Sequence, residues 1–534
     1  MKALLVNPGH SQTFWSFNNV LSMLGKKALM PPLGLLTVAA LLPPEWELQL
    51  VDQTFQAIAP EDWEACELVL ISGMVVQHQG ILETTREAKR RGKTVVVGGP
   101  WVFHFPEEAL GAGADLVVQG ELESALPLLL QALAAKRFPQ VLQAPEPADM
   151  ESSPPPRYDL INLNHYTDMT VQFSRGCPFH CEFCDVTLML GRRVRTKTPR
   201  QILQELDVLF NLGWKGAVFF VDDNFIGNPV KVKALLRELL PWMRSRRYPF
   251  DFYTQASVNL ANDPELLELM VQTGFFSVFL GIETPDVESL KLTGKVQNAA
   301  VDLDQVCRTI NRAGLQIIAG CIIGFDNERP GAGRRLLDFA RRNQIPEMFI
   351  TLLQAGPGTD LYHRLQREDR LLAMDSRHLS NQTGLVNFVP TRPLAQIVDE
   401  FILLYDILYE PTAYLKRTTA YFARMQPLKL PKALSLPSHY QVRAVLLLVL
   451  RQGILKPSRR QFWKSLITAA WNFPERLRFF LSLCVKLEHY SQYRQTIATV
   501  LRQQMAQLAS APTAVPPEGT GAPDTAPRKF SQTA

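Results

Sequence analysis

Three thiols lie close together in Cys177-Pro178-Phe179-His180-Cys181-Glu182-Phe183-Cys184, at C-x3-C-x2-C spacing. An apolar run, Met169–Phe173, and a turn, Ser174-Arg175-Gly176, lead into them. Thiolates are the ligands iron–sulfur clusters prefer, and a tight loop is what aims three of them at one cubane. A [4Fe–4S] cluster bound by Cys177, Cys181 and Cys184 keeps one iron open for a substrate or cofactor, much as a catalytic zinc keeps one position free. A zinc knuckle or structural thiols are the alternatives. Zinc usually takes four ligands, and the loop offers only His180 as an extra one.

With Phe183 just before the last cysteine, the motif resembles the radical S-adenosylmethionine (SAM) signature. The resemblance implies that SAM chelates the open iron through its amino and carboxylate groups. An electron from the cluster then cleaves it to a 5′-deoxyadenosyl radical.

A strand must lead into the loop, and the pattern recurs downstream. Ala217–Val221, Phe250–Tyr253, Phe275–Leu280, Leu315–Ile318 with Ile322–Ile323, and Met348–Leu353 are strand-like runs. Amphipathic stretches such as Pro199–Leu212 and Pro229–Arg244 separate them. Six such units predict a partial (β/α)6 barrel, open on one side, over residues 158–390. Polar residues gather just past the strands, at the rim where barrels build active sites: Asp222-Asp223-Asn224, Gln255, Ser257, Glu283, Gly320 and Gly324. Under the resemblance, Asp222 and Asp223 accept hydrogen bonds from the methionyl ammonium of SAM, a carboxylate matched to a cation. Glu283 resembles the residue that bonds the ribose hydroxyls, and Gly320-x-Ile322-x-Gly324 resembles the adenine-side motif. Gln255 and Ser257 could reach ribose or carboxylate. Strand-end caps and turns are the plain alternative for each; Arg192, Arg193 and Arg195 could hold the SAM carboxylate or face solvent, and most are expected to face solvent.

Upstream, Ala3–Val6, Leu48–Val51, Leu68–Ile71, Thr94–Val97 and Leu116–Val118 are short β-branched runs, with helical stretches such as Ile81–Arg91 between several of them. This is the pattern of a doubly wound parallel α/β sheet. A Gly-x-Gly-x-x-Gly fingerprint is missing, which argues against NAD. The residues after the strands resemble the cobalamin-binding domain of B12-dependent radical SAM enzymes. That resemblance implies a Rossmann-like domain over residues 1–145, with cobalamin at Asp52, Ser72, Gly73, Gly98, Gly99, Gly120 and Glu121. The Asp-x-His-x-x-Gly loop that would supply a lower axial histidine is not present as such, and His78 reads better as a surface or loop-packing residue. Proline-rich residues 146–157 form a linker.

The 534 residues, 46% apolar and 20% charged, allow several domains and a large core. Met1-Lys2 leads straight into a strand-length run, so no signal peptide is expected, and no apolar run suits a spanning helix. Cys66, Cys307, Cys321 and Cys484 are scattered, as core thiols of a reducing cytoplasm would be. From Pro411 to Ser510 the only acidic residues are Glu475 and Glu488, amid many Lys and Arg. Helices are expected at Val398–Tyr409, His439–Leu450, Gln461–Trp471, Glu475–Tyr490 and Tyr493–Leu508, within a helical basic region 391–510. Either a bundle packed on the barrel or attachment to an anionic membrane surface fits. No RNA-binding module is recognisable, and residues 511–534 read as a disordered tail.

Asn381-x-Thr383-x-x-Val386-Asn387-Phe388-x-Pro390 and the basic helical region resemble the B12-dependent radical SAM subgroup that includes hopanoid C2 methylases. The resemblance implies a methyltransferase acting on an unactivated carbon of a small-molecule or lipid (hopanoid-like) substrate, cytoplasmic or peripheral at the inner face of the membrane. It also implies a reducing partner such as flavodoxin or ferredoxin. A rearrangement or oxidation without methyl transfer, and an RNA-modifying radical SAM protein, are the competing readings.

Overall fold

A computed structural model describes residues 1–372, 383–426, 430 and 439–510. Asn381 and the tail from 511 lie outside the described residues. Two six-stranded sheets organise the chain, and every pairing within them is parallel.

The first sheet has the order β2-β1-β3-β4-β5-β6. Its strands are β1 (Lys2–Asn7), β2 (Glu47–Asp52), β3 (Leu68–Ser72), β4 (Thr94–Gly98), β5 (Leu116–Gln119) and β6 (Val141–Gln143). Central strands read as unbroken apolar runs because both faces are covered, each by its own hydrophobic cluster. Five of these strands match the apolar runs. The sixth, β6, has three residues at an edge, too few to carry a periodic signal.

The second sheet has the order β14-β13-β12-β11-β10-β7, the open half-barrel expected from the strand spacing. Its strands are β7 (Asp168–Val171), β10 (Gly216–Phe220), β11 (Phe250–Ala256), β12 (Phe275–Glu283), β13 (Gln316–Ile323) and β14 (Glu347–Leu352). The expected break near Gly320 is absent: β13 runs straight through it. Between β7 and β10, a two-stranded antiparallel ribbon pairs β8 (Ser174–Arg175) with β9 (Arg195–Thr196).

An open barrel leaves an unpaired strand edge, and a row of free N–H and C=O groups there must be covered. Helix Leu394–Leu408 and the residue after it do this for β14. The Tyr405 hydroxyl accepts from Ile350 N at 3.2 Å and donates to Ile350 O at 2.9 Å. The Tyr409 hydroxyl does the same for Met348, at 3.0 and 2.7 Å. The spacing explains the match: four residues rise about 6 Å along a helix and two residues rise about 6.6 Å along a strand.

The C-terminal region adds helix Pro411–Phe422, which the sequence reading left out. It also merges two expected helices into one, Leu477–Ser510, because Ser491 and Gln492 contain no breaker. This long helix crosses the N-terminal ends of the barrel strands. Arg478 bonds Asp251 at 2.5 Å, Phe479 stacks on Phe276 at 4.8 Å, Lys486 pairs with Glu347 at 3.0 Å, and the Tyr490 hydroxyl donates to Glu347 at 2.5 Å. That leaves the other end of the barrel, with the cysteine loop, as its reactive face. Among the described residues no helix is long and apolar enough to cross a membrane.

Candidate active site

The three cysteines sit between β8 and helix Val186–Leu190, and all are free thiols. Gly176 enters the loop at φ 94°; a Cβ there would lie 2.8 Å from Arg193 O and 2.9 Å from Gly191 O. Cys177 N donates to Gly191 O, and Cys184 N closes a turn on Cys181 O. Two amides approach the sulfurs from other elements, Asn224 Nδ2 at 3.9 Å from Cys177 Sγ and Gln297 Nε2 at 3.9 Å from Cys181 Sγ. His180 points away, its Nε2 2.7 Å from Asp360 in an exposed pair, so it is no fourth ligand to the loop. Burial pushes the Cys184 thiol up to about 12.

The neighbouring carboxylates Asp222 and Asp223 have different work. Asp222 is fully buried and accepts from Phe173 N at 3.1 Å, from Ser174 Oγ at 2.5 Å and from Ser174 N. It fixes the approach to the cysteine loop, and its hydrogen bonds to the chain account for its burial without a ligand. Burial raises it to about 6 against those hydrogen bonds. Asp223 has no hydrogen-bond partner on another described residue. Burial, then the charges of Asp222 and Asp185, raise it to about 7. A carboxylate held in that state gains most from a cation.

Across the rim, Glu283 takes a left-handed backbone, φ 61°, at a bulge where β12 meets β13. Its carboxylate folds back onto Lys295 at 2.6 Å. Gly281 makes that possible, since a Cβ there would sit 2.5 Å from Glu283 Oε1. Burial opposes the Lys295 charge, yet Glu283 and Cys181 raise its pKa. Such backbone strain costs about 1–3 kcal/mol and persists where the surroundings enforce it. Here Asn298 Nδ2 does so, donating to Gly281 O and Ile282 O. Ser257 N caps on Asn224 Oδ1, while Gln255 is half-buried on β11. Gly320 differs from expectation: a Cβ there would lie 2.6 Å from the Phe279 ring, so the flat group against it belongs to the protein. Gly324 turns at φ 99° and donates its N–H to Glu328.

A cavity opens at the carboxyl ends of β3, β4 and β5 and runs inward between the sheet and helices Leu33–Leu41 and Leu122–Ala135. Ser72, Gly98, Gly99, Gly120 and Glu121 border it, and Arg175 and Leu190 close it from the barrel side. Asp52 and Gly73 do not line it. Asp52 is occupied by Asn7, Thr54 and the Tyr166 hydroxyl, and a side chain at Gly73 would meet Gln77. Glu121 is bound at 2.7 Å by both Arg175 and Arg195, which corrects the expectation that Arg195 faces solvent. Arg175 also holds Glu123 at 2.8 Å. His78 bonds Val75 O and stays outside the cavity lining.

Residues 26–130 match the B12 binding domain, residues 171–340 the radical SAM superfamily, and residues 359–503 a domain of unknown function, DUF4070. The chain is 45% identical over 510 residues to an uncharacterised methyltransferase of Synechocystis sp., covering 96% of this chain and 95% of the relative. It is 36% identical over 436 residues to the hopanoid C-2 methylase of Rhodopseudomonas palustris, covering 80% and 81%. The chain belongs to the cobalamin-dependent radical SAM methyltransferases. In fold it is similar to the cobalamin-dependent SAM radical enzyme OxsB, with a TM-score of 0.58 at 15% identity over 95% of this chain and 84% of that one. This cobalamin-dependent radical SAM methyltransferase uses a [4Fe–4S] cluster, SAM and cobalamin. Methyl transfer thereby replaces the rearrangement and RNA-modifying readings.

The residues present suit those groups. Among the described residues no three His, Cys, Asp or Glu side chains gather for a single metal ion. A cubane asks for something else, one thiolate on each of three irons, with N–H donors such as Asn224 and Gln297 near the sulfurs to tune it. On the cobalamin side, a Cβ at Gly34 would enter open space and one at Gly98 would have no neighbour closer than 3.8 Å, so these glycines leave a cradle. The sequence alone does not point to Gln297, Lys295 or His104. His104 bonds Asp185, beside the last cysteine, and Pro357 O. None of these sits at a recognisable spacing from the residue it serves.

Proposed function

We propose that this enzyme methylates an unactivated carbon of a polycyclic, apolar lipid of hopanoid type. One observation carries the reading: the barrel interior beneath the polar rim is aromatic. Trp15, from the segment after β1, lies 6.2 Å from Phe279 and 5.4 Å from Phe349, and these half-buried rings leave an apolar wall. Phe219 stacks on Tyr253 at 4.6 Å. Such a wall suits fused hydrocarbon rings. Similarity to a hopanoid C-2 methylase supports the same class.

When bound, the cluster and SAM supply a 5′-deoxyadenosyl radical and cobalamin supplies the methyl group. The chain's own residues place these groups. Cys177, Cys181 and Cys184 hold the cluster, with Asn224 and Gln297 steering two of the sulfurs. Asp223 takes the SAM ammonium, and Asp222 keeps the loop before the cysteines in register. Glu283, oriented by Lys295, would bond the ribose hydroxyls, and Gln255 and Ser257 would reach ribose or carboxylate, while Gly324 turns the chain. Ser72, Gly98, Gly99 and Gly120 cradle cobalamin, and the Arg175–Glu121–Arg195 cluster fixes that cradle against the barrel. A small electron donor of the flavodoxin or ferredoxin kind completes the system.

Anaerobic reconstitution with iron, sulfide and cobalamin, then assay with SAM and a hopanoid acceptor, tests this. Formation of 5′-deoxyadenosine together with S-adenosylhomocysteine and a methylated lipid is expected. A gene deletion that leaves every membrane lipid methylated as before overturns the substrate class.

A further inference from the structure

The C-terminal helices carry a surface that the barrel chemistry leaves unused. Between Pro411 and Pro474 the chain has no Asp or Glu. Some of its cations are consumed internally: Arg417 on the carbonyls of Ile345 and Leu408, Lys456 on Glu488. Arg443, Arg459, Arg460 and Lys464 are exposed, and none has an ion-pair partner among the described residues.

Apolar side chains stand beside these four cations. On helix Arg459–Asn472, Trp463, Ile467 and Trp471 recur every fourth residue and face solvent, Trp471 being 86% exposed. The same helix buries Phe462, Ser465 and Ala469 on its other side. Val442, Leu446 and Leu450 repeat the spacing along helix His439–Leu448 and into its π-helical continuation, Val449–Leu455, where Ile454 and Leu455 are also exposed. The Trp463 indole N–H donates to Gly453 O at 2.9 Å, so the two stripes adjoin. A helix buried on one side and apolar on the other is not designed for water on that second side. Tryptophan among aliphatic residues, flanked by cations and free of acids, matches the headgroup region of an anionic bilayer.

We propose that this face docks peripherally on an anionic lipid surface, with Leu446, Leu450, Ile467 and Trp471 entering the headgroup–acyl boundary and Arg443, Arg459, Arg460 and Lys464 meeting lipid phosphates. An RNA ligand would use the same cations but leave the aliphatic stripe uncovered. Docking so defined does not require the methylated compound to be a lipid.

Full-length, cluster-loaded protein is centrifuged with vesicles of phosphatidylcholine alone or mixed with phosphatidylglycerol. It pellets with the anionic vesicles and is released as salt rises. I467S/W471S, which alters only exposed side chains and keeps the parent's melting temperature, loses at least tenfold in partitioning. R459Q/R460Q/K464Q loses on the order of 100-fold, each cation near the surface contributing roughly fivefold. The idea is overturned if the parent stays in the supernatant, or if either variant partitions like the parent. It is equally overturned if RNA, and not vesicles, retains the protein, or if I467S/W471S merely splits a dimer that never bound lipid. Pelleting is read without turnover, so a failed docking experiment leaves the proposed reaction standing, and a failed methylation assay leaves docking standing.

Discussion

Substituting Tyr405 or Tyr409 with Phe tests whether the open side of the barrel is held by two hydroxyls. Both side chains are essentially fully buried, and each hydroxyl satisfies one N–H and one C=O of β14. Removing a hydroxyl leaves those two backbone groups buried and without a partner, at about 1–3 kcal/mol. The double variant Y405F/Y409F reaches roughly 2–6 kcal/mol at most, because neighbouring sites share relaxation and do not add fully. That is a large part of the stability of an ordinary domain, about 5–15 kcal/mol. Native-state hydrogen exchange resolves the effect locally. Met348 and Ile350 amides are expected to exchange roughly 5- to 150-fold faster in the single variants, with strands of the first sheet unchanged. If β14 exchange and the melting temperature both stay at parent values, the tyrosines are not what covers this edge, and the account of the half-barrel is wrong.

Other perturbations separate residues that look alike in the sequence. In ligand-free protein Asp223 titrates near 7, above its unfolded value of about 4, so its folded form binds the proton more tightly. Its ionisation therefore lowers stability as pH rises from about 4 to about 7. D223N should have a flatter profile and melt higher than the parent at pH 8, by roughly 2 kcal/mol after allowance for partial exposure, while retaining SAM at least tenfold less well; superimposable pH profiles refute this. G281A forces the Glu283 carboxylate off Lys295, so equilibrium dialysis should show a tenfold or greater loss of SAM affinity with circular dichroism unchanged. R175M leaves Glu123 without its cation and halves the cationic support of Glu121. About 3–5 kcal/mol of destabilisation is expected, with cobalamin absorbance lost on gel filtration; retention of bound cobalamin at parent level counts against the proposed wall.

Both sheets were legible because parallel strands buried on two faces leave unbroken apolar runs, and because barrel chemistry gathers just past them. The cysteine loop was legible because its ligands are local. What the sequence hid was the division of labour between adjacent positions. Asp222 and Asp223 are chemically identical neighbours just past β10, yet one holds the backbone of Phe173 and Ser174 and the other has no hydrogen-bond partner on another described residue. Gly320 resembled a ligand contact until Phe279, on the next strand, was seen to cover it. Gln297 lies 116 positions from the cysteine it faces, beyond the reach of any spacing rule. Arg195 looked like surface because its partner, Glu121, lies past a strand of the other sheet.

The helix Leu477–Ser510 supplies the counter-ions for Asp251 and Glu347 from far downstream in the chain. During synthesis Asp251 emerges 227 residues before Arg478, and Glu347 139 residues before Lys486. The floor of the barrel is therefore laid after its walls. A chain that stops before Leu477 should keep the cysteine loop in sequence but have no base to its reaction chamber.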